Sequence, residues 1–232
     1  MARAKSTGVR ALQYSLRADL PTFIEKAFRT LHPGTEYVDG WHVEAIAYQL
    51  TRLLGGEERQ LVITQPPRTL KSICTSVAFV AWALGNNPTL NFVCVSYSQD
   101  LALDLARKFR KLISTPWYQE TFPRTRLSRD TDALIETTQG GGRITASVGG
   151  TITGRGANVI IIDDPLKAEE AHSESARTNV ISWYRNTLLS RFNDQNTGRL
   201  VLVMQRLHEE DLAGQIAGNG YHLDLPAIAI EP

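Results

Sequence analysis

The sequence predicts an α/β protein with a mainly parallel central sheet covered by helices on both faces. Three observations lead there. Strand-like apolar runs alternate with helical ones from Gln60 onward. The strand in "NVIIIDDP" (158–165) is apolar without alternation, as a strand buried on both faces should be. The polar motifs fall where strands end, in "QPPRTLKS", "DD" and "MQRLH", and that rim is where such sheets bind ligands.

The elements follow in order. "DLPTFIEKAFRTL" (19–31) has an amphipathic pattern, with Asp19 as its cap and Pro21 in its first turn. After "HPGTEYVDG" a second helix covers about 41–54 and stops at Gly55-Gly56. "QLVITQ" and "NFVCVSYS" read as strands, "LKSICTSVAFVAWALG" and "QDLALDLARKFRKLIS" as the helices after them. "ALIETT" and "GRITASV" flank three glycines and read as a hairpin-like pair. A long helix over about 173–192, the strand "GRLVLVMQ" and a short helix over about 209–217 complete the pattern.

Bulk properties exclude some classes. No apolar run reaches the ~18–20 residues of a membrane span. The basic start "MARAKSTGVRALQ" has no apolar core of a secretory signal. Cys74 and Cys94 are the only cysteines, both in apolar segments, and read as buried thiols. A net charge of +1 does not advertise nucleic-acid binding for the chain as a whole. Basic clusters at residues 1–30 and at Arg107, Lys108, Arg110 and Lys111 are as expected of solvated helix faces.

"LVITQPPRTLKS" (61–72) has the layout of a phosphate-binding loop, a strand followed by a turn that ends in Lys-Ser at a helix start. Neither glycine of that pattern is present: Gln65 and Leu70 stand in their places. Pro66-Pro67 must then shape the loop by stiffness, and Leu70 must turn its side chain inward. In this reading Lys71 binds β- and γ-phosphate oxygens and Ser72 offers its hydroxyl to Mg²⁺. Asp163 and Asp164, at a strand end on the same rim, supply a metal-linked carboxylate and a base that polarises water. Gln205-Arg206 end a third strand, where a polar side chain senses the γ-phosphate. The acids in "HEED" (208–211) suit the first turn of the next helix, and the other histidines lack the spacing of a zinc site.

Six ordered stretches carry a resemblance: "WHVEAIAYQL", "PPRTLKS", "VSYSQDLALDLARKFRKLI", "GGTITGRGANVIIIDDPLKAEEAHSES", "WYRNTLLSRF" and "QRLHEEDLAG". Together they resemble the ATPase domain of tailed-bacteriophage terminase large subunits, the motors that package DNA into proheads. The resemblance implies a P-loop NTPase fold of the ASCE/RecA-like type, a three-layer sandwich, over residues 41–232 behind an N-terminal helical arm, 1–40. It implies ATP and Mg²⁺ as substrate and cofactor. Pro66, Pro67, Arg68, Thr69, Leu70, Lys71 and Ser72 would form the nucleotide loop, and Ser72 and Asp163 would hold the metal. Lys71, Asp164, Arg155 and Gln205 would be catalytic. Asp164 stands where many relatives have glutamate, one methylene longer. Arg155 reads either as a finger acting on a neighbouring subunit's nucleotide or as a brace of its glycine-rich loop. Trp41-His42 lies where relatives place a Trp-Gln pair against adenine, with His42 departing from that pattern.

The implied partners are double-stranded DNA through its backbone, the portal of the prohead, a small terminase subunit and further copies in a pentameric ring, with no membrane. The implied location is the host bacterial cytoplasm and, transiently, the portal. The acidic cluster of the family's nuclease domain is not found, so ATPase without DNA cleavage is expected. Two rivals remain open: a helicase-like nucleic-acid translocase, and a non-hydrolysing DNA- or portal-binding module with a degenerate loop.

Overall fold

A computed structural model describes residues 2–227 except 153 and 155. Among the described residues, eight strands form one sheet in the order β3-β4-β5-β2-β6-β7-β1-β8. They are β1 (Gln60–Thr64), β2 (Asn91–Ser96), β3 (Leu127–Asp130), β4 (Leu134–Thr137), β5 (Gly142–Ser147), β6 (Val159–Asp163), β7 (Arg199–Met204) and β8 (Tyr221–Asp224). From β5 to β8 every neighbouring pair is parallel, whereas β3–β4 and β4–β5 are antiparallel. The predicted hairpin-like pair is β4 and β5. Its turn needs glycine twice: Gly140 has φ +88°, and a Cβ on Gly141 would lie 2.4 Å from the Leu90 carbonyl oxygen.

The core is two apolar layers, one on each side of the sheet. Strand β6 shows why: all five of its residues are buried, with Val159 and Ile161 facing one layer and Ile160 and Ile162 the other. The first layer is closed by α2 (Leu20–Leu31), α3 (Trp41–Gly55), α4 (Val80–Asn86), α5 (Gln99–Ile113) and α6 (Pro116–Thr121), with the end of α1 (Ala2–Ala18) above them. The second is closed by α7 (Glu174–Trp183) and α8 (Leu212–Ile216). The architecture is therefore a three-layer α/β sandwich.

Local chemistry sets the helix ends. Asp19 caps α2 by accepting from the Thr22 amide, as its position predicts, and Gly56 at φ +87° ends α3. Cys74 and Cys94 are free, buried thiols, and burial pushes Cys74 up to about 12. Arg107 and Arg110 of α5 pair with Asp132 and Asp130 beside the outermost strand, and Lys108 pairs with Asp104. Much of that basic cluster is thus neutralised internally. Strand β3 itself is four residues long, mostly exposed, and has a register shift between Leu127 and Arg129. No helix among the described residues is long and apolar enough to cross a membrane.

Candidate nucleotide site

The loop after β1 makes the turn without glycine. Leu70, at the second glycine position, has φ +66°, so this position does need left-handed backbone. Arg68 shares that conformation at φ +63°, whereas Gln65, at the first glycine position, does not. Each such residue costs about 1–2 kcal/mol relative to right-handed backbone. Two features offset this. Leu70 turns inward and packs against the core, as expected from the sequence. The Thr69 hydroxyl donates to the Pro66 carbonyl at 2.6 Å, which closes a bend whose φ values at Pro66 and Pro67 are already fixed by their rings. The Gln65 amide donates to the Met204 carbonyl and ties the loop to the end of β7.

Beyond the loop the chain winds as a π-helix over Ile73–Phe79, all buried, before α4. Such wide turns are rare and, where present, frequently lie at functional sites. Ser72 and Ser76 are four residues apart and reach one carboxylate. The Ser72 hydroxyl donates to Asp163 Oδ1 at 2.9 Å, and that of Ser76 donates to Asp163 Oδ2 at 2.6 Å. Asp163 is 1% exposed, and its pKa is pushed up to about 6. Burial is the main cause, the neighbouring Asp164 charge adds to it, and the serines and Lys71 offset it only in part. A buried carboxylate short of positive charge beside a serine hydroxyl is a hard-oxygen donor set that suits Mg²⁺.

Asp164 turns the chain out of β6 at φ +45°, a conformation that aspartate tolerates better than most residues. Its Oδ1 accepts from the Gln205 amide at 3.0 Å, and its Oδ2 pairs with the Lys71 ammonium. Three strand ends thus converge: β1 through Lys71, β6 through Asp163 and Asp164, and β7 through Gln205. Beside them lies a cavity of about 440 Å³ lined by Pro67, Lys71, Asp164 and Gln205, together with Tyr97 and Lys167. On the loop's other side a cavity of about 410 Å³ is lined by Arg68, Leu70, Ser72, Phe28, His32 and Lys108.

Other predicted residues lie elsewhere. Trp41 is 69% exposed in the first turn of α3, and neither Trp41 nor His42 lines either cavity; the aromatic rings that do are those of Tyr97 in the first and Phe28 and His32 in the second. Arg155 lies outside the described residues. Arg206 parts from Gln205 and reaches Asp211 at 3.4 Å. Asp211 is buried, caps α8 through the Gly214 amide and also accepts from the Leu207 amide, so this acid of "HEED" is structural. Sequence reasoning missed Ser76, Tyr97 and Lys167. For Ser76 the signal was present: a second hydroxyl one helical turn beyond Ser72.

A scan against models of known protein families matches none, and a search of curated proteins finds no relative. Solved structures do match. The large terminase ATPase domain of Thermus phage P74-26 aligns with a TM-score of 0.52 at 14% identity, over 78% of this chain and 70% of that one. The HK97 bacteriophage large terminase aligns at 0.53 and 11% identity, over 89% of this chain and 45% of that one. The DEAD-box helicase Mss116, solved with single-stranded RNA and UDP-BeF, aligns at 0.57 and 13% identity, over 91% and 44%. The chain thus spans less than half the length of the last two. With the sheet order, these likenesses show a three-layer α/β architecture that matches the RecA-like P-loop NTPase fold. It is a fold held in common with terminase ATPase domains and with DEAD-box helicases alike.

Proposed function

We propose that this chain is a MgATP-hydrolysing, nucleic-acid-associated translocase domain, and in particular the ATPase domain of a terminase large subunit that drives double-stranded DNA into a prohead. The observation that carries the ATPase reading is the joining of Lys71, Ser72, Asp163, Asp164 and Gln205 at three adjacent strand ends. What favours the terminase form is the ordered run of six sequence stretches. A helicase-like translocase is the second reading, and the alignment favours it: the TM-score of Mss116, 0.57, is higher than the 0.52 and 0.53 of the terminases. The two readings share their chemistry.

In that chemistry Lys71 leaves Asp164 for the β- and γ-phosphate oxygens and neutralises their charge. Ser72 and Asp163 would hold Mg²⁺, which supplies further neutralisation of the phosphates. Asp164, released from Lys71, orients a water in line with the γ-phosphorus and accepts its proton as the bond to the β-phosphate oxygen breaks, giving ADP and phosphate. Gln205, tied by its amide to Asp164, registers loss of the γ-phosphate. Arg155 from a neighbouring copy completes the charge stabilisation, so hydrolysis rises with assembly into a ring. DNA is gripped by its phosphates irrespective of sequence. Portal and small subunit are the protein partners, and the setting is the host cytoplasm.

The test is phosphate release by the full chain with Mg²⁺, with and without duplex DNA. The reading expects release that DNA stimulates and that Lys71→Ala abolishes. No release at high protein concentration with DNA would favour a non-hydrolysing module instead. Unwinding of a short duplex by the chain alone would favour the helicase form over the packaging motor.

A further inference from the structure

The cavity beside Lys71 and Asp164 has a second cation. Lys167 lies on the segment that leaves β6, three residues after Asp164, and lines the same cavity as Lys71, Asp164 and Gln205. Two anchors hold it there. Leu166, the preceding residue, is buried in the second apolar layer, so the segment cannot swing freely. The Lys167 ammonium sits 5.7 Å from the centroid of the Tyr97 ring. Tyr97 follows directly on β2 and is tied to the carboxylate pair: its amide donates to the Asp164 carbonyl at 3.1 Å. A cation over a tyrosine face is steadied by the ring quadrupole yet keeps its hydrogen-bond donors for an anion. Among the described residues no carboxylate lies within ion-pairing distance of Lys167, whereas Lys71 is engaged by Asp164. Glu169, the other charged side chain of this part of the wall, is acidic and repels phosphate.

We propose that Lys167, aimed by the Tyr97 ring, is a catalytic residue that touches the γ-phosphate and stabilises the charge developing on it, supplied by the same chain that binds the nucleotide. This assignment rests on the ATPase reading. In the transition state, charge spreads over the equatorial oxygens of the transferred group, and a fixed cation at that place acts on the chemical step more than on ground-state binding. Lysine suits the role as a compact charge with three donors, and no proton leaves it in the step.

The test compares Lys167→Ala, Lys167→Arg, Tyr97→Phe and Tyr97→Leu with the wild-type chain, all with Lys71 and Asp164 intact. Lys167→Ala is expected to lower kcat by about 10²-fold, the scale of losing one preorganised donor, with KM for ATP little changed. Lys167→Arg retains most of the rate. Tyr97→Phe keeps the ring face and therefore the rate, while Tyr97→Leu falls toward Lys167→Ala. ADP alone binds both wild type and Lys167→Ala equally, but ADP with aluminium fluoride, a mimic of the transferred group, loses affinity in Lys167→Ala by a factor like that in kcat. Melting temperatures of the Lys167 variants match wild type, since the side chain is exposed. If wild type hydrolyses ATP and Lys167→Ala retains its kcat and its affinity for the fluoride complex, this assignment alone is overturned. If wild type releases no phosphate, the ATPase reading fails and the assignment falls with it.

Discussion

Replacing Asp163 by asparagine should make the fold more stable while removing the carboxylate proposed to hold Mg²⁺. Asp163 is 1% exposed, and its pKa stands at about 6 against an ordinary 3.8. A displacement of roughly two units is about 3 kcal/mol of differential stability between its protonation states. The folded chain holds this proton more tightly than the unfolded chain does. The penalty is therefore full above about pH 6 and fades as pH falls from there toward 3.8. Asparagine keeps the shape and can still hydrogen-bond Ser72 and Ser76, whose hydroxyls donate or accept. Urea unfolding without nucleotide or Mg²⁺ should place Asp163→Asn above wild type by about 3 kcal/mol at pH 7.5, shrinking to about 1 kcal/mol at pH 4.5. In a chain of this size a 3 kcal/mol gain corresponds to about 6–12 °C in Tm. Equal or lower stability of Asp163→Asn at pH 7.5, or a gap of the same size at both pH values, would refute the reasoning. A gain in stability on losing this acid is the pattern expected where stability has been given up for function.

Three further outcomes follow from the same geometry. Ser76→Ala removes a 2.6 Å hydrogen bond to the buried carboxylate and should destabilise by about 1.5–3 kcal/mol at pH 7.5, less at pH 4.5 once Asp163 is protonated; urea midpoints at the two pH values read this. Arg68→Gly removes the left-handed penalty of an exposed side chain at φ +63° and should stabilise by up to about 1 kcal/mol, whereas Arg68→Ala should not; thermal melts of the pair decide. Asp211→Ala strips the cap of α8 and leaves the Leu207 amide without its partner, which should lower stability by about 2–4 kcal/mol in denaturant titrations.

Much of the frame was legible because single residues announce it. Asp19 ahead of an amphipathic run gave the start of α2, Gly55-Gly56 the end of α3, and the unbroken apolar stretch before Asp163 a strand covered on both sides. The two aspartates and Lys71 could be brought together from the strand-end rule alone. Strand β3, "LSRD", escaped because it is short and polar, with neither apolar alternation nor a run. Strand β8 escaped because its pairing with β1 joins residues some 160 positions apart, a contact no local pattern encodes. The left-handed turns at Arg68 and Leu70 were hidden because neither residue type favours them. The π-helix was invisible for a similar reason, since an apolar helix reads alike whether it winds widely or not. Lys167 carries no local signal, since a lysine after a strand end is ordinary and the Tyr97 ring beneath it comes from the end of another strand.

Strand β3, one of the two edges of the sheet, bears on how copies of this chain can gather. With four residues, a shifted register and arginine–aspartate pairs crowded against it, β3 is a poor template for another backbone. Chains brought to high local concentration are thereby steered away from fusing sheet to sheet on that flank. On that flank, contact between copies is left to loops and helix faces.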